Sequence, residues 1–148
     1  MGVLVGALTS YAATSAAERA KHRRAMATRW DERKLHACVE YAATVKEAHR
    51  AAKAVVLGAA VDPAELLAAM EAAESRRSIG FEVLALLAGP AAVGAAEVVN
   101  LALWRGLRAA RAGVENEEDE EWADAARELV AGLGAFHRAA RADLGIAG

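Results

Sequence analysis

Residues Met1 to Gly58 contain no proline, and their glycines stand only at the ends, Gly2 and Gly6 at the start and Gly58 at the finish. A stretch of that length without a helix breaker predicts one continuous helix. At 1.5 Å per residue it would run to roughly 85 Å, far longer than a small domain is wide. The rest of the chain must therefore be organised around it. Alanine, the best helix former, supplies 41 of the 148 residues, and aromatics only 5%. No run of Val, Ile, Tyr or Phe alternates with a period of two, so no strand is expected.

The long helix changes character along its length. Residues 1–17, MGVLVGALTSYAATSAA, carry no charge, whereas residues 18–34, ERAKHRRAMATRWDERK, carry seven Lys/Arg against three Asp/Glu. The uncharged tip admits two surviving readings. One is a membrane span, for which about 20 apolar residues are ordinarily needed. The other is an apolar tip buried against protein. A cleaved signal peptide does not fit, because no Lys or Arg precedes the apolar stretch. Gly2, Gly6 and Ser10 repeat at four-residue spacing, a small-residue face suited to close helix–helix contact, with Leu4, Leu8 and Tyr11 among the bulkier residues. If the tip enters a membrane, the basic collar of Arg19, Lys21, Arg23, Arg24 and Arg29 places everything after residue 18 in the cytoplasm and against anionic lipid. Glu18, Asp31 and Glu32 interrupt the collar, and the net charge is −2, so a nucleic-acid patch is not favoured. Asp31 and Lys34 are spaced for an ordinary i,i+3 ion pair.

From Trp30 onward the helix becomes amphipathic, with Cys38, Tyr41, Val45, Ala48 and Ala52 on one face. Gly58 ends it. Asp62-Pro63-Ala64-Glu65 supplies an N-cap, a first-turn proline and an N3 acid for a second helix, whose face runs through Met70, Ala73, Arg77, Phe81 and Leu84. Gly89-Pro90 stops it and opens a third, with Val93, Ala96, Leu101, Trp104 and Leu107 expected inside and Gly113 at its end. Residues 115–121 hold six acids in seven positions and lead into a fourth helix with an inward seam of Trp122, Ala126, Leu129, Leu133, Phe136 and Ala140.

These elements predict an all-α, up-down four-helix bundle with a very long first helix projecting at its N-terminus. The layout is an apolar tip (1–17), a basic collar (18–34) and a helical bundle (30–146). The expected core is Trp30, Tyr41, Val45, Phe81, Leu84, Trp104, Trp122, Leu129, Leu133 and Phe136.

No Glu-x-x-His occurs, although His36 and Glu40 are spaced i,i+4. There is neither GxxxxGK[ST] nor GxGxxG, and no nucleophile elbow. Cys38, the single cysteine, reads as a small buried hydrophobe. His49 reads as surface and His137 as flanking the fourth-helix seam. Glu82 and Asn100 stand amid apolar neighbours and read as edge positions or structural hydrogen-bonders. No catalytic residue, metal ligand or cofactor is expected.

The sequence Glu18-Arg19, Lys21-x-Arg23-Arg24, Arg29-Trp30-Asp31-Glu32-Arg33 and Tyr41-Ala42, following an uncharged Ser/Thr/Ala-rich N-terminus, resembles a group of uncharacterised Ala-rich helical proteins from GC-rich bacteria. One N-terminal membrane segment is predicted for many of them. The resemblance implies a membrane-proximal helical domain and names no catalytic residue. The expected function is a non-enzymatic, membrane-anchored scaffold or adaptor that self-associates through helix 1. The alternative is a soluble, cytoplasmic structural subunit of a larger homo-oligomer or particle, with the tip packed against neighbouring subunits.

Overall fold

The computed structural model describes residues 3–58, 61–114 and 116–146, with side chains from Met26 onward together with those of Glu18, Lys21 and His22. Four helices follow in order: α1 Val3–Leu57, α2 Pro63–Leu87, α3 Pro90–Arg111 and α4 Glu120–Asp143. They pack as antiparallel pairs, α1 with α2 and α3 with α4, consistent with a four-helix bundle.

The helix ends follow the local sequence. After α1, Gly58 takes a left-handed φ of +56°, a conformation open to glycine at little steric cost. At the start of α2, Asp62 Oδ1 accepts the Ala64 N–H at 2.9 Å, with Pro63 in the first turn. Gly113 at φ +82° closes α3 in the same way as Gly58. Asp119 caps α4 by accepting from the N–H groups of Glu121 and Trp122, and Glu120 and Glu121 add negative charge where the helix dipole favours it.

The chain divides into two units, Met1–Arg33 and Lys34–Gly148. In the first, the described side chains, Glu18, Lys21, His22 and Met26 to Arg33, are all exposed. The second holds the core. Tyr41, Val45, Met70, Leu84, Val99, Leu103, Leu107 and Phe136 are its largest fully buried members. Among the described residues, half of the buried apolar side chains are alanines.

Two core expectations require correction. Trp30 is 47% exposed. It belongs to the first unit, and the core of the second begins only beyond Lys34, whose Nζ donates to Asp143 at the last residue of α4. Trp104 is 51% exposed, and Leu101 and Val98 also face out. Ala96 and Leu107 are buried as expected, but the face they share is completed by Ala92, Val99, Leu103 and Gly106, so that its centre is turned from the expected one by roughly the 100° of one residue. Close approach to α4 explains the choice. A Cβ built on Gly132 of α4 would lie 3.2 Å from Val99 Cγ2. A tryptophan in place of Val99 would force the helices apart. The remaining expected core residues are in place: Tyr41, Val45, Leu84, Trp122, Leu129 and Phe136 are buried, and Phe81 and Leu133 are partly buried against them.

Among the described residues, no helix is long and apolar enough to cross a membrane. The uncharged run stops at Glu18 and is weakened by Thr9, Ser10, Thr14 and Ser15.

Candidate functional site

Three features of the bundle have enough geometry to be weighed as sites. The first is a polar junction among α1, α2 and α3. Gly80 lets α2 come close to α1, since a Cβ there would meet Thr44 Oγ1 at 3.3 Å. The Tyr41 hydroxyl lies 2.9 Å from the Ala96 carbonyl oxygen and 2.8 Å from Asn100 Oδ1, so its one proton is shared between two acceptors. Arg77 Nη1 donates to the same Asn100 oxygen at 2.8 Å. Arg77 Nε and Nη2 donate to the two carboxylate oxygens of Glu74 at 3.0 and 2.6 Å. Burial pushes the Tyr41 phenol well above its ordinary range, opposed by Arg77 and reinforced by Glu74. The chain Glu74–Arg77–Asn100–Tyr41 thus pins three helices in register. Its donors and acceptors are directed at one another, and among the described residues no buried side-chain polar atom lacks a partner.

The second feature closes one end of the bundle. The Asp143 carboxylate accepts the Gly89 N–H at 2.7 Å and a Lys34 ammonium proton at 3.2 Å. The Gly89 N–H holds the Asp143 pKa below its ordinary value, with burial opposing and Lys34 assisting. A Cβ on Gly89 would sit 2.6 Å from Asp143 Oδ1, so only glycine leaves room for this tie.

The third is a groove of about 670 Å³ between α1 and α4. Tyr41 and Phe136 meet edge to face at 5.2 Å and hold the two helices apart. Small residues outside that pair, Cys38, Ala42, Ala43 and Ala140, leave the space above it unfilled. Further along, His49 stacks on Trp122 at 5.4 Å with an interplanar angle of 8°. Burial, and then the Lys53 ammonium, hold the His49 pKa below its ordinary value, against the opposing pull of Glu117.

Cys38 is buried. Its thiol is pushed up by burial and by Asp143, with Lys34 pulling the other way. A thiol so held is a poor nucleophile. His36 and Glu40 do meet, at 3.5 Å, on the open face of α1. Among the described residues, no group of three His, Cys, Asp or Glu could hold a metal ion.

Asn100 is a structural hydrogen-bonder, while Glu82 is exposed on α2 and takes no part. His137 is exposed and lines the groove. His49, read as surface, is half-buried against Trp122. Lys34, expected to pair with Asp31, pairs with Asp143 instead. Asp143 gave no signal of its own. Arg77, a cation on the inward face of α2, and Asn100 were the visible signs of the junction. In the collar, Lys21 and Arg29 are exposed. The side chains of Arg19, Arg23 and Arg24, and those of Gly2, Leu4, Gly6, Leu8, Ser10 and Tyr11, lie outside the described residues.

Compared with known proteins, the chain matches no family model, no curated protein and no solved structure.

Proposed function

We propose that the chain is a non-enzymatic scaffold subunit that associates with further copies of itself through the N-terminal half of α1. The observation that carries this reading is the stripe of α1. Tyr41, Val45 and Ala48 are buried on it. Trp30 and Met26 precede them at helical spacing in the sequence and are 47% and 53% exposed. Exposed large apolar side chains at helical spacing are what a helix–helix interface uses. The polar junction supports a non-catalytic role, because its donors and acceptors are spent on each other.

Light scattering on the full chain tests the association. Wild type is expected to exceed the monomer mass, and Met26→Glu/Trp30→Glu to fall to it with its helical signal unchanged. A monomeric wild type at high concentration would sink the reading.

One observation favours a membrane-attached form of the same scaffold: Lys21 and Arg29 are exposed beside the uncharged residues 1–17. Flotation with phosphatidylglycerol vesicles separates the two forms. A chain that stays in the dense fraction at both low and high salt is not lipid-attached.

A further inference from the structure

The α1–α4 groove is built for a ligand of a definite kind. Its walls are apolar for most of their length, with Leu35 and Val39 from α1, Phe136 and Ala140 from α4, and Leu144 and Ile146 from the segment after it. Leu35, Val39 and Ile146 are left 44–60% exposed to water. Its charged and chargeable lining is all basic apart from the Cys38 thiol: Lys46, Arg50, His137 and Arg141, with no Asp or Glu.

The groove is also polarised. The contacts Lys34–Asp143, Tyr41–Phe136 and His49–Trp122 fix α1 and α4 as antiparallel neighbours. Leu35 therefore lies beside Leu144 and Ile146 at one end, with Arg141 one turn back along α4. Lys46 and Arg50 lie roughly 16 and 22 Å further along α1. There they border a second hollow of about 370 Å³, walled by Leu129, Val130 and Leu133. Both cations are exposed, at i,i+4 on one helix face. Neither forms an ion pair among the described residues. Arg50 Nε donates to the Lys46 carbonyl oxygen at 3.4 Å, which leaves both guanidinium NH₂ groups for an anion.

We propose that this groove binds an anionic amphiphile with a single acyl chain, a long-chain fatty acid. Its chain lies along Leu35, Val39, Phe136 and Ala140, and its carboxylate meets Lys46 and Arg50. Size separates this occupant from an acidic amphipathic helix. A helix 22 Å long and 10–12 Å across occupies on the order of 2,000 Å³, about three times the volume of the groove. That volume instead falls in the range of small-molecule sites, roughly 300–1,000 Å³.

The test titrates the full chain with cis-parinaric acid, whose fluorescence rises in an apolar site. One saturable site per chain is expected, emptied by palmitate. Methyl palmitate should compete about tenfold more weakly or worse, because it cannot form charge-assisted hydrogen bonds. Ala43→Trp fills the groove from an exposed position and should abolish binding with the circular dichroism spectrum unchanged. Lys46→Glu/Arg50→Glu should weaken the acid about tenfold or more while leaving the ester's affinity as it was. No saturable signal, binding that survives Ala43→Trp, or equal affinity for acid and ester would each overturn the proposal. So would displacement by an acidic helical peptide but not by palmitate, which would assign the groove to a protein partner. The Met26→Glu/Trp30→Glu variant should bind the probe normally, so failure of the association reading is told apart from failure of this one.

Discussion

Helix α4 has two neighbours and meets them in opposite ways. Against α3 the contact runs through a glycine on each helix. Gly132 comes so close to Val99 that a methyl group there would be crowded, and Gly106 of α3 receives the Trp122 ring and the Ala125 methyl. Against α1 it presents rings, with Phe136 on Tyr41 and Trp122 on His49. The first contact leaves no space between helices. The second props them apart and opens the groove. Side-chain size at two or three positions thus sets whether a helix pair forms a sealed core or a walled channel.

The ring-built side should break most severely. Phe136 is fully buried in contact with Tyr41. Phe136→Ala removes its transfer energy and leaves a cavity, at a cost of about 3–5 kcal/mol. Urea unfolding should show that drop in the midpoint. A loss under about 1 kcal/mol would mean that α1 and α4 collapse onto each other and close the groove.

The small-residue side sharpens the comparison through two glycines of opposite expected sign. In Gly132→Ala the new Cβ would lie 3.2 Å from Val99 Cγ2 and 3.6 Å from its Cα, and Val99 is fully buried and unable to yield. Overpacking of about 1–3 kcal/mol outweighs the roughly 0.5–1 kcal/mol gained by replacing a mid-helix glycine, leaving a net loss of about 1 kcal/mol. In Gly106→Ala the nearest atom is 3.6 Å away, an ordinary contact. There the propensity gain of about 0.5–1 kcal/mol should prevail. Thermal melts of the pair should move in opposite directions. Equal shifts would show that the seam is looser than its geometry.

The same contrast explains which parts were legible in the sequence. The seam of α4 was readable because its inward residues are large and its outward ones charged. Helix ends were readable because Gly58, Asp62-Pro63, Gly89-Pro90 and Gly113 each act through their own backbone. The face of α3 was not readable. Its inward residues include Ala92, Ala96 and Gly106, with little hydropathy, while Leu101 and Trp104 drew the assignment outward; close approach to α4 chose the face. Trp30 kept the α1 stripe in sequence, but where the stripe stops being covered depends on where α4 ends. The Asp143–Gly89 tie spans 54 positions and the Lys34–Asp143 pair spans 109. No local pattern encodes either. Cys38 and Asn100 could be flagged, since an odd residue among apolar neighbours is visible without knowing its partner.

Acid should act on the ring-built side before any other. The lowered pKa of His49 means that the folded chain binds fewer protons there than the unfolded chain, whose histidine titrates near 6.5. Its contribution to stability is complete above that pH and is lost as pH falls toward the folded value. The slope is at most about 1.4 kcal/mol per pH unit, the limit for one proton. Urea midpoints should fall between pH 7.5 and 5.5 in wild type, and fall less in His49→Phe, which keeps a ring on Trp122. Asp143 does not blur the window, because its lowered pKa places its own acid loss below about pH 4. Parallel curves for the two proteins would remove His49 from the account.

The smallest effect is expected at Trp104, and it tests whether the α3 face was chosen by packing. Trp104 is half exposed, with its ring 5.1 Å from the Arg108 guanidinium. An exposed cation–π contact is worth about 0.5–1 kcal/mol, and Ala regains some of that through helix propensity. Trp104→Ala should therefore lower stability by no more than about 0.5 kcal/mol. Trp122→Ala, on a residue only 3% exposed, should cost about 3–5 kcal/mol. Two tryptophans on neighbouring helices would then differ severalfold in consequence for one geometric reason: one lies against a glycine, the other against water. A loss at Trp104 near that of Trp122 would mean that a partner covers this face in solution, and a drop in molecular mass on the same substitution would identify that partner as a second copy of the chain.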